Sequence, residues 1–132
     1  ASHPFNPVSL LRLALACDGQ GIPNRHQCEQ LFQHVWGEGL EASDPQRLAD
    51  LQARLAPVRD PQSDVVKTQL RQVTQTAIEK GVFGVPSFRV DDKLFWGQDA
   101  LPMLRAYLQG DPWFEGPDWQ APALCGVGVR RS

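Results

Sequence analysis

The 132-residue sequence predicts an α/β chain that is mostly helical, with about four helices over residues 1–80, a β-hairpin and closing helix over 81–110, and a tail over 111–132. Three observations carry this expectation. Asx-Pro pairs at Asn6-Pro7, Asp44-Pro45 and Asp60-Pro61 each set a capping side chain before a proline preset for a first helical turn. Apolar residues then recur at helical spacing as far as Gly81. Past Gly81 two short apolar runs flank the polar pair Asp91-Asp92, which is the pattern of a hairpin.

Helix one, at about 7–17, holds Leu10, Leu11, Leu13, Ala14 and Leu15, is apolar nearly all round and is therefore expected to be buried; Asp18-Gly19 stops it. Helix two starts near Asn24, where Gln27 completes a capping box, and runs to Gly37. Its stripe of Cys28, Leu31, Phe32, Val35 and Trp36 assigns Trp36 to the core. Helix three, at about 45–55, shows Leu48, Leu51 and Leu55; helix four, at about 61–80, shows Val66, Leu70, Val73 and Ala77, with Gly81 as a left-handed stop. The runs Ser87–Val90 and Leu94–Trp96 form the hairpin, and a last helix from about Ala100 to Leu108 closes at Gly110. A lone two-stranded hairpin is marginal in water, so this sheet is expected to have strand partners outside the sequence. The tail, with Pro112, Pro117 and Pro122 among Trp113, Phe114 and Trp119, has no assigned structure.

A formal charge of −2 with both signs interspersed leaves no basic patch for nucleic acid, and no apolar run approaches the ~20 residues of a membrane span. Three cysteines without close spacing argue against a disulfide framework and fit a reducing, cytoplasmic setting. Cys17 and Cys28 fall on apolar faces as buried thiols, Cys125 lies in the tail, and His3, His26 and His34 lack metal-ligand spacing. No metal is expected.

The candidate chemistry lies in two short segments. Val85-Pro86 precedes an apolar strand, where a proline has no N–H to give the ladder and X-Pro bonds go cis; a tight turn without a ligand is the alternative reading. Gly97-Gln98-Asp99 opens a helix whose free N–H groups attract a carboxylate, while the Asp99 side chain attracts an ammonium. Asp99 is also a candidate cap for that helix, and one carboxylate has lone pairs for both roles. Asn6 is foremost a helix cap.

The order Pro4-Phe5-Asn6-Pro7, helical stretch, Gly81-Val82-Phe83-Gly84-Val85-Pro86 and Phe95-Trp96-Gly97-Gln98-Asp99 resembles the 2-hydroxychromene-2-carboxylate isomerase family. These are DsbA-like, kappa-class glutathione transferase relatives within the thioredoxin-like superfamily. The resemblance covers Pro4 to about Leu108 and implies the C-terminal half of a thioredoxin-like domain, hairpin plus helix after a cis-proline, carrying an all-α helical insertion. It implies glutathione as cofactor, held by the backbone of Val85 before Pro86 and by Trp96, Gly97, Gln98 and Asp99, with Asn6 as a further contact. It implies a small aromatic substrate whose conjugated double bond the glutathione sulfur attacks reversibly, allowing cis-trans isomerisation. Family members open with a β-α-β segment bearing a catalytic serine, whereas this chain opens at Ala1-Ser2-His3-Pro4. The expectation is thus of a truncated or fragmentary chain with no catalytic residue of its own. A DsbA-like thiol-disulfide oxidoreductase or a kappa-class transferase is the alternative, although no Cys-x-x-Cys is present. A non-catalytic helical binding module that pairs its hairpin with a second copy, as a homodimer, is the alternative of another class.

Overall fold

The computed structural model describes residues 3–119. Its contacts divide the chain into two units, Ala1–Glu79 and Lys80–Ser132.

The first unit is all helical. Helix α1 (Val8–Ala16) is entered through Asn6, whose side chain accepts from the Val8 N–H at 3.0 Å, so Pro7 stands at the cap and not inside the first turn. Leu10, Leu13, Leu15 and Ala16 are buried, while Leu11 stays nearly half exposed. Helix α2 (Arg25–Phe32) begins with the expected reciprocal box between Asn24 and Gln27. Helix α3 (Pro45–Leu55) is capped by Asp44, which accepts from the Arg47 N–H at 2.9 Å, and it ends in a left-handed Ala56. Helix α4 (Asp64–Glu79) starts three residues later than the Asp60-Pro61 signal suggests. Asp60 spends its carboxylate on the Gln62 N–H in a local turn, and Ser63 takes over the helix entry, accepting from the Lys67 and Val66 N–H groups.

Two apolar clusters hold these helices. Leu10, Leu13, Cys17, Leu51 and Leu55 form one, with Phe5, Leu31, Val35 and Leu48 packed against it; Leu15, Ala16 and Val66 form the other with Leu70. Burial raises the Cys17 thiol pKa above its ordinary value, with a further push from Cys28, so Cys17 is a packing residue and a poor nucleophile.

Trp36 does not join this core. It is 63% exposed, and Phe32 is 64% exposed. Helix α2 runs into a π-helical turn, Gln33–Gly37, whose wider winding rotates the side chains away from the 3.6-residue phase that the stripe assumes. His34 is turned inward instead, with Nε2 2.9 Å from the Ala42 carbonyl oxygen. Arg47 braces the same loop by donating to the Glu41 and His34 carbonyls and to Glu38.

The second unit is built on the antiparallel strands β1 (Ser87–Val90) and β2 (Lys93–Trp96), registered Ser87↔Trp96 through Val90↔Lys93 about the Asp91-Asp92 turn. A 3₁₀ turn, Gln98–Ala100, leads into α5 (Leu101–Leu108). Phe95, 1% exposed, is the centre of the unit, with the rings of Tyr107, Phe114 and Trp119 at 5.7, 6.1 and 5.5 Å. The first part of the tail is therefore structural: Asp111 caps a 3₁₀ turn at Pro112–Glu115 that delivers Phe114 into this cluster. Pro122 and Cys125 lie outside the described residues.

Tyr107, the chain's one tyrosine, donates its hydroxyl proton to Asp91 at 2.5 Å and carries the Lys93 ammonium 5.2 Å from its ring centroid. The bond to the Asp91 carboxylate pushes the phenol up to about 12 from 10.0. The folded state therefore prefers the protonated phenol. Its contribution is complete below the unfolded pKa of about 10 and is lost as pH rises through about 12. A tyrosinate absorbance titration should give a midpoint near the upper value, and Asp91→Asn should bring it down; a midpoint near 10 in the folded protein would contradict this contact.

Candidate functional site

The hairpin brings six of the seven anticipated residues onto one end of β1 and β2. The Val85–Pro86 peptide bond is cis, as is His3–Pro4. The Gly97 N–H donates to the Pro86 carbonyl at 2.9 Å, which extends the strand register by one pair beyond Ser87↔Trp96. Pro86 has no N–H to return, so the ladder ends there. Val85, 87% exposed, is left with neither its N–H nor its C=O bonded among the described residues.

Around this open main chain the local sequence builds an aromatic flank. The Phe83 and Trp96 rings lie 5.0 Å apart. Trp96 reaches across Gly84, where a Cβ would fall 2.3 Å from the indole Nε1, so glycine is required for that approach. Ser87 ties the turn from the other side, its hydroxyl donating to the Gly84 carbonyl at 2.6 Å. Gly97, at φ 87, is in the left-handed region that glycine takes without strain, and it turns β2 into the 3₁₀ segment.

Gln98 and Asp99 are exposed at the head of that segment, where the first N–H groups have no partner within the turn. Asp99 makes no capping hydrogen bond; neither Gly97 nor Ala100, the residues at the two helical starts, receives a side-chain cap. The capping reading of Asp99 is thus set aside by the geometry. Asn6 belongs to the helical unit, where its side chain is engaged with the Val8 N–H.

Among the described residues no group of three or more His, Cys, Asp or Glu side chains could hold a metal ion, and no helix is long and apolar enough to cross a membrane. Cys17 and Cys28 are both free thiols. At the hairpin turn Lys93 donates to Asp92 at 3.2 Å, and that bond is the main reason the Asp92 pKa is lowered.

A family model for the DSBA-like thioredoxin domain matches residues 3–109. The chain belongs to the DsbA-like thioredoxin family. Within that family it is similar to 2-hydroxychromene-2-carboxylate isomerases: 30% identical over 82 residues to that of Sphingobium xenophagum, 32% over 87 to that of Pseudomonas sp. strain C18, and 35% over 84 to that of Pseudomonas putida. These alignments cover 58%, 62% and 59% of this chain and 42%, 41% and 41% of the respective relatives. The chain thus spans about two fifths of the length of the curated relatives it matches. No solved structure matches it significantly. In this DsbA-like chain the turn, the hairpin and α5 lie within the matched span, up to residue 109.

Proposed function

We propose that this DsbA-like chain carries the peptide-binding part of a glutathione-dependent cis-trans isomerase of the 2-hydroxychromene-2-carboxylate type, acting on a small aromatic compound. The supporting observation is the unsatisfied Val85 main chain beside the Gly97–Pro86 hydrogen bond. An exposed residue just before a strand with both main-chain polar groups free pairs with an extended peptide, and glutathione is a tripeptide of that shape.

The residues present fit the cofactor. Val85 offers one donor and one acceptor to its central residue. The free N–H groups of Gln98 and Asp99 suit the α-carboxylate of its γ-glutamyl end, and the exposed Asp99 carboxylate suits the ammonium beside it. Trp96 and Phe83 wall one flank with apolar surface. When bound, glutathione supplies a thiolate nucleophile able to add to a conjugated double bond and leave again. This chain's own share is to bind and orient: Val85 fixes the peptide's direction, and Asp99 fixes which end of it lies at the helical turn. Asn6 is a further proposed contact, by family likeness alone.

Calorimetric titration with glutathione tests this reading. Asp99→Ala is expected to weaken binding about fivefold, the size of one solvent-exposed charge pair. Glutathione acetylated on its amine should lose the same factor against the unsubstituted protein and nothing further against Asp99→Ala. Absence of binding to the unsubstituted chain would refute the peptide-site reading, while equal binding by Asp99→Ala would refute only the assigned polarity.

A further inference from the structure

The half-buried hydroxyl of Ser87 donates to the Gly84 carbonyl at 2.6 Å, spanning Val85 and Pro86. A four-residue turn is ordinarily closed by the main-chain N–H of its last residue. Here no main-chain bond links Ser87 to Gly84, and the side chain closes the turn in its place.

We infer that Ser87 is a positioning residue for the glutathione site: by holding the Gly84 carbonyl, its hydroxyl aims the Val85 N–H at the bound peptide. This role rests on the peptide-site reading of Val85. The Gly84 carbonyl and the Val85 N–H belong to one trans peptide unit, which is planar and turns as a single plate, with the two groups pointing to opposite sides. A hydrogen bond that fixes the oxygen therefore fixes the N–H. The same bond polarises the amide, and an N–H whose own carbonyl is already accepting is a stronger donor. Two further contacts limit the plate. The Trp96 indole edge occupies the space that a side chain at Gly84 would need, and on the far side of Val85 the Pro86 carbonyl is held by the Gly97 N–H at 2.9 Å. Ser87 thus supplies the one side-chain hydrogen bond to this peptide unit among the described residues.

A general structural tie is the competing role for the hydroxyl, and its loss would then loosen the whole end of the hairpin. Positioning predicts a local effect. The Gly97–Pro86 bond is made by main chain alone and does not involve Ser87, so it should survive when the hydroxyl is removed.

The experiment compares the unsubstituted chain with Ser87→Ala and Ser87→Thr, by calorimetric titration with glutathione and by relaxation-dispersion NMR at the Val85 and Gly97 amides of the ligand-free protein. Ser87→Ala is expected to weaken glutathione binding about fivefold, the size of one intramolecular hydrogen bond, and Ser87→Thr, which keeps a hydroxyl, to bind within about twofold of the unsubstituted chain. In Ser87→Ala the Val85 amide should gain microsecond to millisecond exchange that the unsubstituted chain and Ser87→Thr lack, while the Gly97 amide stays unchanged. Should Ser87→Ala not fold, Ser87→Val against Ser87→Thr isolates the hydroxyl at nearly equal shape. Equal glutathione binding by Ser87→Ala, failure of Ser87→Thr to restore binding, or equal exchange at Gly97 would each overturn the assignment and leave the peptide site standing. An unsubstituted chain that binds no glutathione would instead refute the peptide reading itself, and with it any service of Ser87 to a ligand.

Discussion

Phe95→Ala is expected to lower the stability of the hairpin unit by about 3–5 kcal/mol, the cost of emptying an aromatic side chain from a packed interior. Phe95 is 1% exposed and is in ring contact with Tyr107, Phe114 and Trp119, which come from α5 and from the two 3₁₀ turns after it. Among the described residues it is the β2 ring in contact with both α5 and the turns that follow it. Its loss leaves a hairpin whose remaining cross-strand pairs are few, and two strands alone are marginal in water. Because β2 runs directly from Phe95 into Trp96 and Gly97, the hydrogen bond from Gly97 to Pro86 should loosen with it. Urea unfolding followed by tryptophan fluorescence reads the stability, and hydrogen exchange at the Gly97 amide reads the site. A change below about 1 kcal/mol would show that Phe95 is not the keystone argued here.

Leu51→Ala should cost about 2–5 kcal/mol in the helical unit. Leu51 is fully buried on α3 and belongs to the cluster of Leu10, Leu13, Cys17 and Leu55, against which Phe5, Leu31 and Val35 also pack. Those last three also line an apolar cleft between α1 and α2. Leu51→Met, which conserves volume, should cost less than about 1.5 kcal/mol, and Gln52→Ala on the exposed face less than about 0.5 kcal/mol. Thermal unfolding followed by far-ultraviolet circular dichroism orders the three variants. If Leu51→Ala were no worse than Leu51→Met, the void would be closing and the cluster would not be a tightly packed one.

Helix existence was legible because its signals are local. Asn24 with Gln27, and Asp44 before Pro45, satisfy backbone N–H groups within three residues, so no distant partner is needed to read them. The Asp91-Asp92 hairpin was legible for the same reason. Asp60-Pro61 misled because an Asx turn and a helix cap draw on the same side chain, and Ser63, two residues on, was free to take the second role. Trp36 misled because a π-helical turn changes the phase of the stripe, and no residue pattern in Gln33–Gly37 announces it.

The sequence by itself determined which residues could serve the proposed peptide site: a proline that ends a ladder, a glycine that turns into a helical segment, and an aspartate near it. These are properties of single residues and their immediate neighbours. Only the tertiary structure decided that Gly97 bonds to Pro86 and leaves the Val85 main chain free, that Asp99 caps nothing, that residues 111–119 complete the core around Phe95, and that Phe32 and Trp36 stand at the rim of a cleft. All but the Asp99 geometry depend on pairing or packing between separate segments of the chain. Such contacts follow from register and packed volume, and neither is written in the spacing of a single segment.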